Sequence, residues 1–179
     1  MIRHSFKHGV TKTMDAQTLV SVLDFSRARL NASIETIEKS GQDVKKVLAW
    51  RPGPGRAHIG WQLMHCAATH DRYLHVAMLG GSAPKDEAIV SAFGGGSTPS
   101  DQNVPSLEQI KTKLESNYAA FRAYVAGVNS QELTSKMVGA PGKQRTLGEA
   151  IILMAWHEAH HHGQIHLTWN LYKAAHGIV

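Results

Sequence analysis

The sequence has little cysteine and no long apolar run. Its one cysteine, Cys66, excludes an intrachain disulfide and fits a reducing compartment. No stretch approaches the roughly 18 consecutive apolar residues that a membrane-spanning helix needs. The first ten residues, MIRHSFKHGV, lack the apolar segment of a signal peptide. Together these absences predict a cytoplasmic protein without a membrane span.

Acidic residues are also outnumbered, with 14 Asp and Glu against 19 Lys and Arg, which gives a formal net charge of +5. Such a balance can attract nucleic acids or anionic substrates. The basic residues are scattered, however, and no arginine-rich run or aromatic–basic alternation accompanies them. We therefore expect no nucleic-acid partner. The length of 179 residues predicts a single domain, residues 1–179.

Helical periodicity dominates the chain, because apolar residues recur at three- and four-residue spacings in four long segments. We predict helices near residues 15–40, 57–79, 106–127 and 146–175. Asp15 suits the N-cap of the first helix. Ser106 with Gln109, and Thr146 with Glu149, have the spacing of capping boxes at the third and fourth.

A Gly-, Ser- and Pro-rich segment, residues 80–105, separates the second and third helices. Connections of this length are usually functional loops or crossovers. The apolar residues 88–93 inside it predict a short helical turn, and residues 128–145 form a second linker. The sequence thus predicts an all-α fold, a four-helix bundle with one long crossover connection.

Histidines concentrate in the stretch WHEAHHHGQIH of the fourth helix. His157 and His161 occupy bundle-core positions, and their spacing separates them by about 40° and about 6 Å, so both can reach one ion. His162 and His166 form a similar pair on a neighbouring face, and His160 lies near the edge of the core stripe. We expect these last three not to bind metal directly.

The core stripe of the fourth helix is interrupted by polar residues, His157, His161 and Gln164. Burial of such groups is unfavourable unless they find partners. A bound ion would supply them, and so would hydrogen bonds to a neighbouring helix.

A metal site needs a further ligand from another helix. His65 lies among apolar residues in the middle of the second helix and is the inward-facing candidate, although a hydrogen-bonded core histidine would look the same. His70 and His75 lie nearer the helix end beside charged residues, and we expect them in solvent. Cys66 is rotated about 100° from His65, which is typical of a small buried hydrophobe rather than a ligand.

The segments GWQLMH and HEAHHHGQI resemble the DinB/YfiT-like superfamily of metalloenzymes. The resemblance covers most of the chain, and its specific part is the pattern His-x-x-x-His-x-Gly-Gln. It implies an often dimeric four-helix bundle with a divalent ion bound by His65, His157 and His161. Members frequently have Arg where this chain has His162. Some relatives are transferases or isomerases that use a low-molecular-weight thiol, and others are described as hydrolases.

Three protein ligands leave at least one open position, as in catalytic rather than structural zinc sites. Neutral imidazoles suit several divalent ions, of which zinc or nickel is our expectation. Such an ion would acidify a bound water or thiol near neutral pH. We therefore predict a hydrolase or a low-molecular-weight-thiol S-transferase that acts on a small molecule, with the thiol as a second cofactor. Metal binding should weaken as pH falls through about 6.5, where free imidazole is protonated.

The fourth helix also contains the His-Glu-x-x-His pattern of zinc proteases, with Glu158 in the position of the base. The absence of a strand-rich substrate cleft argues against that reading. Glu158 stays a candidate catalytic residue, either as a proton acceptor or as a group that orients a ligand histidine from behind.

Two other functional classes stay open beside the enzyme. One is a metal- or small-ligand-binding bundle without turnover, and the other is an interaction bundle whose histidines are incidental. The fourth helix has a second apolar face that includes Ile152, Trp156 and Leu167, more than one core stripe requires. This face predicts a homodimer.

Overall fold

The computed structural model describes residues 15–139 and 142–178 and confirms the predicted all-α bundle. Its long helices are α1 (Ala16–Glu38), α3 (Ile59–Arg72), α5 (Leu107–Ala126) and α7 (Leu147–Ala175). The shorter helices are α2 (Val44–Ala49), α4 (Glu87–Phe93) and α6 (Ser130–Ser135), and a π-helical turn (Tyr73–Met78) continues α3. Two short strands, β1 (Met137–Val138) and β2 (Arg145–Thr146), pair as an antiparallel hairpin. No helix in the described part of the chain is long and apolar enough to cross a membrane.

Local sequence explains where the long helices begin. Asp15 Oδ1 accepts a hydrogen bond from the Thr18 backbone N–H at 2.8 Å, which caps α1. The capping boxes predicted at Ser106 and Thr146 are both formed, at the starts of α5 and α7. Each cap satisfies backbone N–H groups that have no partner within the helix.

Ion pairs at opposite ends of α1 and α5 show that these helices are antiparallel. Glu38 pairs with Lys111, and Asp24 pairs with Arg122. The contacts between α3 and α5 advance along both helices in the same direction. Asn117 Nδ2 donates to the Ala67 carbonyl, and one turn later in each helix His70 packs on Phe121. Helices α3 and α5 therefore run in the same direction, and the segment between them is the predicted long crossover.

A polar layer crosses the middle of the core. The apolar core forms two clusters, one toward each end of the bundle. Between them, along α1, α3 and α7, lie the buried Arg27, His65, His70, Glu158 and His161. The buried polar side chains therefore lie about halfway along the bundle.

The prediction that Gln164 faces the core is wrong, because its side chain is exposed and its Nε2 lies 2.9 Å from His160 Nε2. On a helix, position 164 is rotated about 60° from position 161 away from the interior. Ile165 and Thr168 occupy the inward positions instead, and both are buried.

Candidate metal centre

The structure brings together the three histidines singled out from the sequence. His65 of α3 meets His157 and His161 of α7, and one ring nitrogen of each lies within 4.8 Å of the others. The Nε2 atoms of His65 and His157 are 3.0 Å apart. We call this group the three-histidine cluster. Its all-imidazole donor set and its convergence fit a single divalent ion.

The backbone of the crossover fixes the orientation of His65. Its Nδ1 lies 2.5 Å from the carbonyl oxygen of Phe93, the last residue of α4, so Nδ1–H donates and Nε2 is left as an acceptor toward the cluster. The next residue, Gly94, has no room for a side chain, because a Cβ there would lie 2.3 Å from the Val90 carbonyl oxygen. On its other side the His65 ring stacks on Trp61 with centroids 4.6 Å apart.

Burial keeps the cluster uncharged near neutral pH. Loss of solvent lowers the pKa of His157 to about 3 and of His161 to about 4, with repulsion between neighbouring imidazoles adding to the effect. The pKa of His65 is lowered as well, again through burial. These shifts correct the expectation of proton competition near 6.5, because the folded cluster takes up protons only at lower pH.

His161 also has an unsatisfied buried nitrogen. Its Nδ1 has no hydrogen-bond partner among the described residues, although the side chain is only 8% exposed. Buried polar atoms normally have a partner, and a bound ion is one way in which such a cluster is satisfied. The fit to an ion therefore rests on chemistry and packing as well as on convergence.

A pocket of about 520 Å³ opens onto the cluster and includes His65 and His157 in its wall. Helix α3, the π-helical turn, α7 and the β-hairpin form its sides. The π-helical turn supplies Tyr73, Val76 and Ala77 to the lining. Sequence analysis did not predict this pocket, because the residues that line it come from distant parts of the chain, within 65–77, 94–95 and 138–157.

Comparison with known protein families agrees with this geometry. The family model of the DinB superfamily matches residues 22–165, well over half of the chain. The chain belongs to the DinB superfamily. The match extends from α1 into α7 and contains all three histidines of the cluster. A comparison with curated proteins found no match.

In this DinB-superfamily protein the remaining histidines of α7 lie outside the cluster. His160 is exposed and stacks on Trp156, with ring centroids 5.1 Å apart. On the neighbouring side of α7, the ring centroids of His162 and His166 are 6.4 Å apart, and His166 Nε2 lies 3.1 Å from Asn170 Nδ2.

Glu158 lies behind the cluster, where its partner is a buried arginine. Its carboxylate accepts hydrogen bonds from Arg27 Nε, at 3.3 Å, and from Arg27 Nη2, while Nη1 donates to the Leu114 carbonyl at 2.8 Å. Glu158 is 0% exposed and Arg27 is 6% exposed. No hydrogen bond joins the carboxylate to the three-histidine cluster among the described residues, so these contacts do not support the catalytic role expected of Glu158. Burial raises the pKa of Glu158, and Arg27 opposes that rise.

The expectation that His70 and His75 lie in solvent is wrong. His70 is 1% exposed and packs on Phe121 with ring centroids 4.9 Å apart. Burial and the charge of Arg27 lower its pKa well below the usual value, so it is neutral beside Glu158. His75 is half-buried, and its Nδ1 lies 2.8 Å from Asp71 Oδ1. The crossover covers this end of α3, since Asp71 accepts from its backbone N–H groups, including that of Asp86 at 2.8 Å.

Proposed function

We propose that this DinB-superfamily protein is a cytoplasmic, metal-dependent enzyme that acts on a small molecule held beside the three-histidine cluster. The observation that carries the proposal is the position of the pocket. Two of the three histidines form part of its wall, so a molecule in the pocket would lie next to the ion that the cluster can hold. A concave, mostly apolar pocket with a few polar groups is the usual form of a small-molecule site.

A zinc or nickel ion bound by three neutral imidazoles supplies positive charge and an open position, which together lower the pKa of a water or thiol bound there. The protein groups have supporting roles. Phe93 O holds His65 in the tautomer that leaves Nε2 free, and burial keeps His157 and His161 unprotonated.

Transfer to or from a low-molecular-weight thiol fits the pocket better than hydrolysis. Among the described residues that line it, none is Asp or Glu, and the buried carboxylate of Glu158, the residue after His157, is paired with Arg27. Attack by water generally needs a general base. A thiol has an ordinary pKa of about 8.5 and needs much less help to ionise. Cys66 is fully buried with a raised pKa, so the thiol would be a separate molecule.

The test combines metal analysis with two activity screens. Untagged protein loaded with zinc or nickel is assayed with cysteine or glutathione plus 1-chloro-2,4-dinitrobenzene, and separately with 4-nitrophenyl acetate. We expect metal-dependent thiol conjugation that His157→Ala abolishes and His166→Ala leaves intact. Ester hydrolysis with the same dependence would favour the hydrolase. Bound metal without turnover of any substrate would favour the alternative, a metal- or small-ligand-binding bundle.

We also propose that the protein is a homodimer. Trp156 is 57% exposed, Leu167 59%, and Ile152 45%, all on α7. On the neighbouring α1, Phe25 is 69% exposed. Large apolar side chains exposed along one helix are typical of a surface covered by a partner.

A further inference from the structure

The pocket beside the three-histidine cluster carries positive charge at a distance from the histidines. Arg72 of α3, Lys143 of the hairpin loop and Arg145 of β2 all line it. No acidic residue lines it in the described part of the chain. Three cations that line one cavity whose described wall has no acidic residue create a local positive potential that attracts anions.

None of these three cations forms an ion pair among residues 15–139 and 142–178. Arg27 and Arg122, in contrast, each form an ion pair with a carboxylate. The charge of Arg145 contributes to the lowered pKa of Glu149, so these two residues are near each other. The Glu149 carboxylate, however, accepts from the Thr146 backbone N–H at the start of α7 and does not line the pocket. The positive charge of the pocket is therefore available to a ligand.

The spacing along α3 gives the approximate length of that ligand. Arg72 follows His65 by seven residues, or two helical turns, which is about 10 Å along the axis. On α3, Ala68 lies between these ends, and the apolar Leu153 and Met154 of α7 also line the pocket.

Lys143 and Arg145 come before the start of α7, and Arg145 precedes His157 by 12 residues. We therefore place a metal-binding end at the histidines and a cationic end away from them, with apolar residues between.

We infer that the pocket selects a small organic anion whose carboxylate or phosphate is bound by Arg72, Lys143 and Arg145. An apolar portion of the anion fills the middle of the pocket. The reactive group lies about 10 Å away at the three-histidine cluster. The assignment of the reactive end rests on the proposed function, whereas the anion subsite stands on the pocket alone. Arginine provides paired N–H donors that match both carboxylate and phosphate oxygens.

Calorimetric titration with three eight-carbon probes tests the inference. Octanoate, octyl phosphate and 1-octanol share a chain of suitable length and differ in the charged group. We expect either anion to bind at least about tenfold more tightly than octanol, because charge-assisted hydrogen bonds add to the apolar contacts. The two anions together show whether carboxylate or phosphate is preferred. The preference should appear in metal-free as well as zinc-loaded protein, because the cations are remote from the histidines.

Variants identify the residues responsible. Arg72→Gln and Arg145→Gln should each weaken the binding of the preferred anion about tenfold and leave octanol binding unchanged. Arg72→Lys should retain part of the affinity because it keeps the charge. The matched control is Arg56→Gln, which changes the net charge equally at an exposed site outside the pocket and should have less than about a twofold effect.

Equal binding of octanol and both anions would overturn the inference, as would an equal loss in Arg56→Gln and Arg72→Gln. Metal content measured on the same samples separates this outcome from failure of the proposed function. Protein that binds metal without preferring anions refutes the anion subsite alone. Protein that prefers anions but binds no metal refutes the metal-dependent enzyme and leaves the subsite in place.

Discussion

Replacing Glu158 by Gln removes the negative charge from the buried ion pair with Arg27 while nearly preserving the size of the side chain. Arg27 is 6% exposed, and apart from Glu158 its guanidinium donates a hydrogen bond to the Leu114 carbonyl. Its charge would then be buried without a counter-charge. Breaking a buried pair in this way typically costs about 3–5 kcal/mol, a large part of a domain's stability of about 5–15 kcal/mol.

We expect Glu158→Gln to lower the free energy of unfolding by about 3–5 kcal/mol at pH 7, measured by urea denaturation with circular dichroism detection. The control is Arg122→Gln, which breaks the half-exposed pair with Asp24 and should cost about 0–1 kcal/mol. Replacing both partners, as Arg27→Met with Glu158→Leu, should recover most of the loss because no buried charge is left.

The same variant decides between a structural and a catalytic Glu158. If Glu158→Gln loses less than about 1 kcal/mol of stability, the magnitude we assign to the buried pair is wrong. If it also stays folded with full metal content but loses activity, Glu158 takes part in the reaction as the sequence suggested. Loss of stability with metal stoichiometry retained in the folded fraction agrees with the contacts seen in the structure.

Three further predictions concern the cluster and the outer face of α7. Alanine at any position of the three-histidine cluster should greatly reduce metal content by elemental analysis, whereas His162→Ala and His166→Ala should retain it, and the reverse pattern would move the site to the outer face. The pKa values of His157 and His161 are lower in the folded than in the unfolded chain, so the unfolded chain binds more protons below about pH 6.5. The free energy of unfolding of the metal-free protein should therefore fall, between about pH 6 and 4, by up to about 1.4 kcal/mol per pH unit and per histidine. Urea midpoints that do not change over this pH range would contradict the prediction. Trp156→Glu should convert a dimer to a monomer in sedimentation velocity, and a wild-type monomer at micromolar concentration would reject the dimer.

Local signals account for what the sequence predicted well. The capping boxes at Ser106 and Thr146 involve residues three positions apart, and the convergence of His157 and His161 needs only helical geometry. The inward orientation of His65 could be predicted because its neighbours in the helix are apolar. In each case the decisive spacing lies within one helix.

Long-range partners account for what the sequence did not predict. The sequence did not predict the pairing of Arg27 with Glu158, because the two residues lie 131 positions apart. His70 looked solvated beside charged neighbours, yet Phe121 and the crossover bury that end of α3. The cations of the pocket come from a helix and a hairpin whose proximity no spacing along the chain reveals.

The hydrogen bond from His65 to the Phe93 carbonyl has a consequence for how variation is read in this protein. The acceptor is a backbone oxygen, so any side chain at position 93 that preserves the fold leaves it in place. Substitutions at position 93 would show only the contribution of its side chain to packing. A sequence motif defined by residue identities would not include this position. Insertions and deletions would disturb it, because they move the end of α4 relative to α3. Some positions in the crossover should therefore tolerate insertions and deletions better than others. The change from tolerant to intolerant positions should lie close to α4.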